Sequence, residues 1–307
     1  MGVALLIENK GMKKYLFSLL ILLSFTGAEA SQELTLYFIP SPVGMDWTSP
    51  SSLARSALMN KISFKPRFMG HVFVELKCAN EHELTGMVGK NFDYLNQLLV
   101  NQRGLGILFH SFDGQLENKE DIEKELSEYY KTGHANFLKV ILNENQCERA
   151  LTYLKEYRKQ NVGRHYGLAN RPRHGEGAGC SAFGASFLDV LNLIDEDMRQ
   201  SWSQTVNIPL EYAGPPLKEE GVNLLSVMLN AGSWAKENEK HQKLTFWDPD
   251  RMHQWITKKA ATNSQNYTVI KNQNSVGIVI DKSHVPAPEE PIWLQKVGAD
   301  GKTVVKE

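Results

Sequence analysis

The sequence predicts an α+β fold for residues 31–200, followed by a C-terminal extension. Three observations support this class. Residues 71–76 show the two-residue alternation of a strand. Residues 144–158 carry apolar side chains on one side of a helix, and a strongly apolar helix begins at Cys180. Strands and helices therefore alternate along one stretch of chain, and we expect them to form one core.

The expected elements follow from local patterns of apolar and turn-forming residues. We expect strands at residues 34–39, 71–76, 106–112, 137–142, 276–280 and 292–296. The strand at 106–112 is expected to close in an Asp113-Gly114 turn. We expect helices at residues 51–59, 92–100, 121–130, 144–158, 180–194, 224–229 and 251–258, with Asp248 to Asp250 capping the last.

The N-terminus has the three parts of a secretory signal. Lys13 and Lys14 precede an apolar run over residues 15–25, and Ala28 and Ala30 are the small residues that a signal peptidase reads. We therefore expect a signal peptide at residues 1–30, a core at 31–200 and an extension at 201–307 packed on the core. The location expected is periplasmic or secreted.

The net charge and the lengths of the apolar runs restrict the classes of partner that we expect. The formal net charge of −1 gives no long-range field that would attract nucleic acid. No apolar run after the signal is long enough to span a bilayer, so we expect no stable transmembrane anchor. The expected partner is a peptide, cell-wall or lipid substrate, and we expect no cofactor.

The chain has three cysteines, an odd number for an oxidising compartment. Cys78 and Cys147 are candidates for a disulfide, but sequence does not give the distance between them. Cys180 stands at the start of a predicted helix after three glycines, at 175, 177 and 179. A helix N-terminus stabilises a thiolate, and the N–H group of Ser181 is placed to hold an oxyanion. The alternative interpretation is that Cys180 is a small apolar residue that begins a buried helix.

A nucleophilic thiol needs a general base. His71 opens the strand after Gly70 and is the candidate, although it could equally be a strand-end histidine without a role. Glu75 is too far along the same strand to orient His71, so we expect it to contact a substrate or to close the mouth of the pocket. His110, on the expected neighbouring strand, is the candidate for the third catalytic residue.

These residues resemble the circularly permuted papain-like fold. The resemblance rests on Gly70-His71-Val72 on a strand, then Tyr166-Gly167-Leu168, then the helix that begins at Cys180. The order of these segments is similar to that in the permuted NlpC-like hydrolases and the lecithin:retinol acyltransferase group, in which the histidine strand precedes the cysteine helix. The resemblance implies an antiparallel sheet packed against that helix and a Cys–His pair acting on amides, thioesters or acyl lipids. Gly179 stands where the related group often has Asn.

From the resemblance we expect an exported cysteine hydrolase or acyltransferase, with Cys180 as the nucleophile, His71 as the base and His110 as the third catalytic residue. Tyr166 and Arg173 join Glu75 as expected substrate-binding residues. Two alternatives remain. His165, His174, Glu176 and Cys180 are close enough in sequence to ligate a metal, although their spacing fits no known zinc pattern. The chain could also be a binding or structural envelope protein that keeps the fold without catalysis.

Overall fold

The structure is a computed structural model that describes residues 32–63, 67, 69–79, 81–90, 93–262, 264–272, 274–294, 296–297 and 303–304. Its strands are β1 Gln32–Ile39, β2 His71–Cys78, β3 Glu81–Gly89, β4 Phe112–Leu116, β5 Asn136–Leu142, β6 His165–Tyr166, β7 Ser203–Pro209, β8 His241–Trp247, β9 Thr268–Asn272, β10 Ser275–Asp281, β11 Lys296–Val297 and β12 Thr303–Val304. Its helices are α1 Pro50–Ile62, α2 Tyr94–Leu99, α3 Lys119–Thr132, α4 Glu144–Lys159, α5 Cys180–Val190, α6 Glu196–Trp202, α7 Leu224–Asn230 and α8 Pro249–Ala260. The α+β class is confirmed.

Eight of these strands form one sheet in the order β6-β4-β3-β2-β1-β5-β10-β9. Neighbouring strands run antiparallel, except that β5 and β10 are parallel. The sheet is therefore mixed, which corrects the antiparallel sheet expected from the sequence. The parallel pair arises because β10 comes from the C-terminal extension, which joins the sheet beside β5.

Helices cover both faces of the sheet. Helices α4, α5 and α8 pack on one face against inward side chains of β1 and β2 such as Leu36 and Val74. On the other face, Ile122 and Leu126 of α3 cover Phe73. Because side chains alternate along a strand, His71 and Phe73 project to the α3 face while Val72 and Val74 project to the α5 face.

A second apolar cluster lies beside the sheet and draws on both the N-terminal and the C-terminal parts of the chain. Leu53 of α1 and Leu98 of α2 join Leu224 of α7 and the strand pair formed by β7 and β8. Helices α1 and α7 contact each other, and Arg55 donates to the Met228 carbonyl at 2.9 Å. The extension thus supplies part of this cluster as well as β9 and β10.

The largest error in the expected elements concerns residues 106–112. The structure has a 3₁₀ helix at Leu105–Phe109 and places the strand later, at Phe112–Leu116, across the expected Asp113-Gly114 turn. Close backbone contacts explain both differences. A Cβ at Gly106 would lie 2.2 Å from the Gly214 carbonyl oxygen, and one at Gly114 would lie 2.7 Å from that of Gly163. These glycines serve tertiary contacts, which a local pattern does not record.

Other expectations hold or fail for local reasons. Asp248 caps α8 by accepting from the Asp250 amide at 2.8 Å, as expected. Strand β3 was not anticipated, because its sequence Glu81–Gly89 begins with charged residues. Residues 292–293 form a bend rather than a strand.

The predicted signal peptide lies outside the described residues, and no described helix is long and apolar enough to cross a bilayer.

Cys78 and Cys147 form a disulfide that links the end of β2 to α4, with the Cα atoms 5.7 Å apart. The sequence separation is 69 residues, and the chain-entropy relation gives about 4 kcal/mol for such a loop. We expect the double variant Cys78→Ala, Cys147→Ala to lose about that much free energy of unfolding in urea denaturation. The control is Cys180→Ala, which removes the unpaired thiol. Equal midpoints for the double variant and the parent chain would show that the bond adds no stability.

Candidate active site

Cys180 is the first residue of α5, and close packing of this helix on the sheet determines its position. Gly184, one turn into the helix, faces Val72, and a Cβ at Gly184 would lie 2.5 Å from Val72 Cγ1. Only glycine therefore permits this approach. The Cys180 Sγ atom lies 3.7 Å from the carbonyl oxygen of Gly70, the residue immediately before β2. The N-terminus of α5 and the start of β2 thus lie next to each other.

This proximity brings the predicted pair together. The charges and polar atoms of Cys180 and His71 each shift the pKa of the other group, so the two side chains are neighbours. Both are buried, with exposed fractions of 5% and 3%. The predicted nucleophile and base, more than one hundred residues apart in sequence, therefore share one site.

Glu117 is the third member of this site, and sequence reasoning missed it. His71 Nε2 lies 2.7 Å from Glu117 Oε2. A carboxylate only accepts at neutral pH, so we assign the ring proton to Nε2, which donates to Glu117. Nδ1 is then the nitrogen left to accept the proton of the Cys180 thiol. The arrangement thiol, imidazole, carboxylate is that of a catalytic triad.

Gly86 explains how Glu117 reaches His71 across an intervening strand. Glu117 follows β4, and its amide donates to the Gly86 carbonyl of β3 at 2.9 Å. Strand β3 lies between β4 and β2. A Cβ at Gly86 would lie 2.5 Å from Glu117 Oε2 and 3.3 Å from His71 Nε2. The missing side chain leaves the passage that the carboxylate uses. An acidic residue at a strand end, together with a glycine on the next strand, is a weak signal in sequence alone.

Arg67 holds the carboxylate in place. Its guanidinium donates to Glu117 Oε1 at 2.5 Å and to Glu125 Oε1, on α3, at 2.5 Å. The Nη1 atom of Arg67 also lies 3.2 Å from His71 Nδ1. An arginine only donates, so this contact opposes protonation of Nδ1, and the charge of Arg67 lowers the pKa of His71. Burial raises the pKa of Glu117, but the charges of His71 and Arg67 and their hydrogen bonds lower it to about 2.

The electrostatics of the pair shift the equilibrium towards the thiolate–imidazolium form. Burial raises the pKa of the Cys180 thiol, but the charge and hydrogen bond of His71 and a bond from the Val72 amide lower it below its ordinary range. Burial and the charge of Arg67 lower the pKa of His71, while the charges of Cys180 and Glu117 outweigh them and raise it. Each group stabilises the charge on the other.

The Tyr166 phenol and the first turn of α5 also lie at the site of the sulfur. Tyr166 and Cys180 border the same cavity, and burial together with the charge of Cys180 raises the pKa of the Tyr166 phenol. Tyr166 therefore remains a donor. Gly179 is the N-cap residue of α5 and has no side chain to cap the helix, and the first helical bond runs from the Phe183 N–H to the Gly179 carbonyl. The Ser181 hydroxyl donates to the Trp247 carbonyl at 2.6 Å. The Ser181 backbone N–H belongs to the first turn of α5, where amides have no acceptor within the helix.

His110 does not occupy the third position expected for it. It follows a 3₁₀ helix rather than lying on a strand, and its ring packs edge-on against Phe112 with centroids 4.5 Å apart. Burial and the charge of Arg103 lower its pKa. Glu117 holds the contact with His71 Nε2 that we assigned to His110. The assignment is corrected because the strand expected at 106–112 does not form.

The structure also gives internal partners to two expected substrate-binding residues. Glu75 is buried and accepts from the Tyr37 hydroxyl at 2.6 Å and lies 2.7 Å from His82 Nε2. The buried Arg173 guanidinium donates to Asp189 Oδ2 at 2.8 Å and to the Pro291 carbonyl at 2.7 Å, which ties the C-terminal segment to α5. Neither is brought to Cys180, in contrast to Tyr166.

The expected alternative of a metal site finds no support in the geometry. Glu176 is paired with Arg171, and His165 Nε2 accepts from Arg164. Over the part of the chain that the structure describes, no three His, Cys, Asp or Glu side chains converge as a ligand set.

A cavity of about 120 Å³ opens beside Cys180, and Tyr166 and Ser181 also border it. An electrophile in this cavity can therefore meet the sulfur, the phenol and the first turn of α5 together. Comparison of the chain with protein-family models, curated proteins and solved structures gives no match in any of the three. The chemistry of the site rests on its own geometry.

Proposed function

We propose that this protein is an exported cysteine hydrolase or acyltransferase of permuted papain-like fold. The observation that carries the proposal is the group Cys180, His71 and Glu117 at the N-terminus of a helix beside a cavity, with Cys180 Sγ 3.7 Å from the Gly70 carbonyl and His71 Nε2 2.7 Å from Glu117. The resemblance in strand and helix order supports the fold. The Cys78–Cys147 disulfide supports an oxidising location, periplasmic or secreted, because such bonds rarely persist in the cytosol.

The proposed reaction follows the acyl-enzyme sequence. The Cys180 thiolate attacks the carbonyl carbon of an ester, thioester or amide, and the backbone N–H of Ser181 receives the oxyanion. His71 gives its proton to the leaving group as the bond to that group breaks, which leaves a thioester on Cys180. His71 then takes a proton from water or an acceptor alcohol, which attacks the thioester and frees the sulfur. Glu117 keeps the imidazole in the required tautomer throughout.

The test is the pH dependence of alkylation of Cys180 by iodoacetamide. Because the pKa of Cys180 is lowered and that of His71 is raised, we expect the labelling rate to level off at a lower pH than that of a free cysteine. A thiol of ordinary pKa would instead react about tenfold faster for each unit rise in pH up to about pH 8.

The control is Cys180→Ala, which should not label because Cys78 and Cys147 are paired. A rise of about tenfold per pH unit up to about pH 8 in the parent chain would contradict the proposal. It would favour the alternative of an envelope binding protein that retains the fold.

A further inference from the structure

The cavity beside Cys180 has an apolar wall made by three helices and a 3₁₀ segment. This wall is formed by Ala57 of α1 together with residues of the second apolar cluster, which include Leu53, Ala54, Leu98, Leu105 and Leu224. Among the described residues that line the cavity there is no Lys, Arg or His. A substrate group placed against this wall therefore meets hydrocarbon and finds no cation.

The polar groups of the cavity are collected around the sulfur. Gly70 joins Cys180 to Ser41, because its carbonyl lies 3.7 Å from the sulfur and its amide donates to Ser41 Oγ at 2.9 Å. On the other side, Ser181 donates to the Trp247 carbonyl at 2.6 Å, and Asp248 is the next residue. Ser41, Ser181 and Asp248 all line the cavity. The cavity thus has one polar end, which holds the nucleophile, and an apolar remainder.

This polarity matches an acyl group with its carbonyl at the sulfur and its chain against the helices. Resting on the proposed function, we propose that Cys180 acts on a carboxylic ester or thioester with an unbranched aliphatic acyl chain, and that this chain occupies the cavity. An apolar cavity of 150 Å³ holds a ring of six carbons, so a cavity of about 120 Å³ holds about five carbons of chain beyond the carbonyl carbon.

The same features disfavour a cell-wall peptide at this site. Its amide and carboxylate groups would be transferred from water to an apolar wall without partners, which is unfavourable for each group. In the proposed step the sulfur forms a bond to the carbonyl carbon, the bond from that carbon to the alcohol oxygen or thiol sulfur breaks, and His71 protonates the group that leaves. Water then cleaves the thioester and releases the fatty acid.

The test measures kcat/KM for p-nitrophenyl esters from acetate to dodecanoate, each below its aggregation concentration. We expect an increase of about fourfold for each added methylene, because each one is removed from water, until the chain has about six carbons. Beyond that length the value should level off or fall. A value that does not depend on chain length, or that is highest for acetate, would overturn the proposal.

Two variants of the wall should move the optimum in opposite directions. Ala57→Phe fills the cavity and should shift the optimum towards acetate, and Ala54→Leu is a milder replacement with the same expected direction. Leu98→Ala enlarges the cavity and should shift the optimum to longer chains. The matched control is Leu142→Ala. Leu142 is as buried as Leu98 but pairs with Gln32, at the opposite end of β1 from the partner of His71.

The control and Leu98→Ala should both lower the melting temperature, and only Leu98→Ala should alter the preference for chain length. An unchanged optimum in folded wall variants would contradict the proposal. Failure of the proposed function would look different. In that case acetate itself would not be hydrolysed, and the Cys180 thiol would be unreactive.

Discussion

We expect His71→Ala to reduce kcat/KM for hydrolysis of p-nitrophenyl hexanoate by about 10³–10⁴-fold. The variant loses the group that raises the thiolate population of Cys180 and the group that protonates the leaving alcohol. The fold should persist, because Glu117 retains its bond to Arg67 at 2.5 Å. The reduction corresponds to about 4–5 kcal/mol of transition-state stabilisation. Steady-state kinetics together with circular dichroism would separate the loss of activity from unfolding.

His110→Ala is the informative control for this experiment. It removes the histidine that chain order favoured as third catalytic residue and that the structure places against Phe112. Activity close to that of the parent chain is expected for His110→Ala. If both histidine variants kept full activity, His71 would have no part in the reaction and the proposed mechanism would be wrong.

Glu117→Gln should lower kcat/KM by about 10²–10⁴-fold while preserving the size of the side chain. Glu117 accepts from Arg67 at one oxygen and from His71 at the other, over 2.5 and 2.7 Å. Glutamine has only one acceptor oxygen, so its amide group must face one of these donors. Arg67 cannot accept, so the oxygen stays with Arg67 and His71 is driven to the tautomer with a proton on Nδ1. That tautomer cannot take the proton from Cys180.

The pH profile of Glu117→Gln should change in a defined direction. The carboxylate has a pKa of about 2 and is ionised throughout the neutral range, where it raises the pKa of His71. Without this charge, the pKa of His71 falls and the imidazolium is lost at lower pH. The basic limb of the kcat/KM profile should therefore move to lower pH. A basic limb that stays in place would show that Glu117 does not stabilise the imidazolium.

Gly86→Ala tests the same contact without altering a charged residue. The added Cβ would lie 2.5 Å from Glu117 Oε2, so the carboxylate must leave His71. We expect the same shift of the basic limb with Glu117 still present. Gly232→Ala is the matched control, because nothing lies within 4 Å of a Cβ at that position. If the pH profile of kcat/KM for Gly86→Ala matched that of the parent chain, Glu117 would not depend on the space at Gly86 to reach His71.

Local patterns were sufficient for elements whose own residues determine them. The helices at Glu144–Lys159 and Cys180–Val190 and the strand at Asn136–Leu142 match the expectations, because burial of one face repeats at the period of the element. His71 and Cys180 were found for a similar reason. Each is the first residue of an element that the sequence predicts. The first turn of a helix can also stabilise a thiolate, which singled out Cys180.

The tertiary structure alone decided which residues complete the site and what faces it. Glu117 reaches His71 across another strand through space left by Gly86, and the cavity wall joins α1 and α2 with α7 from the C-terminal extension. The sequence by itself predicted the order of these elements and the pairing of Cys180 with His71. The third residue and the apolar wall depend on contacts between segments far apart in the chain, and no local period encodes such contacts.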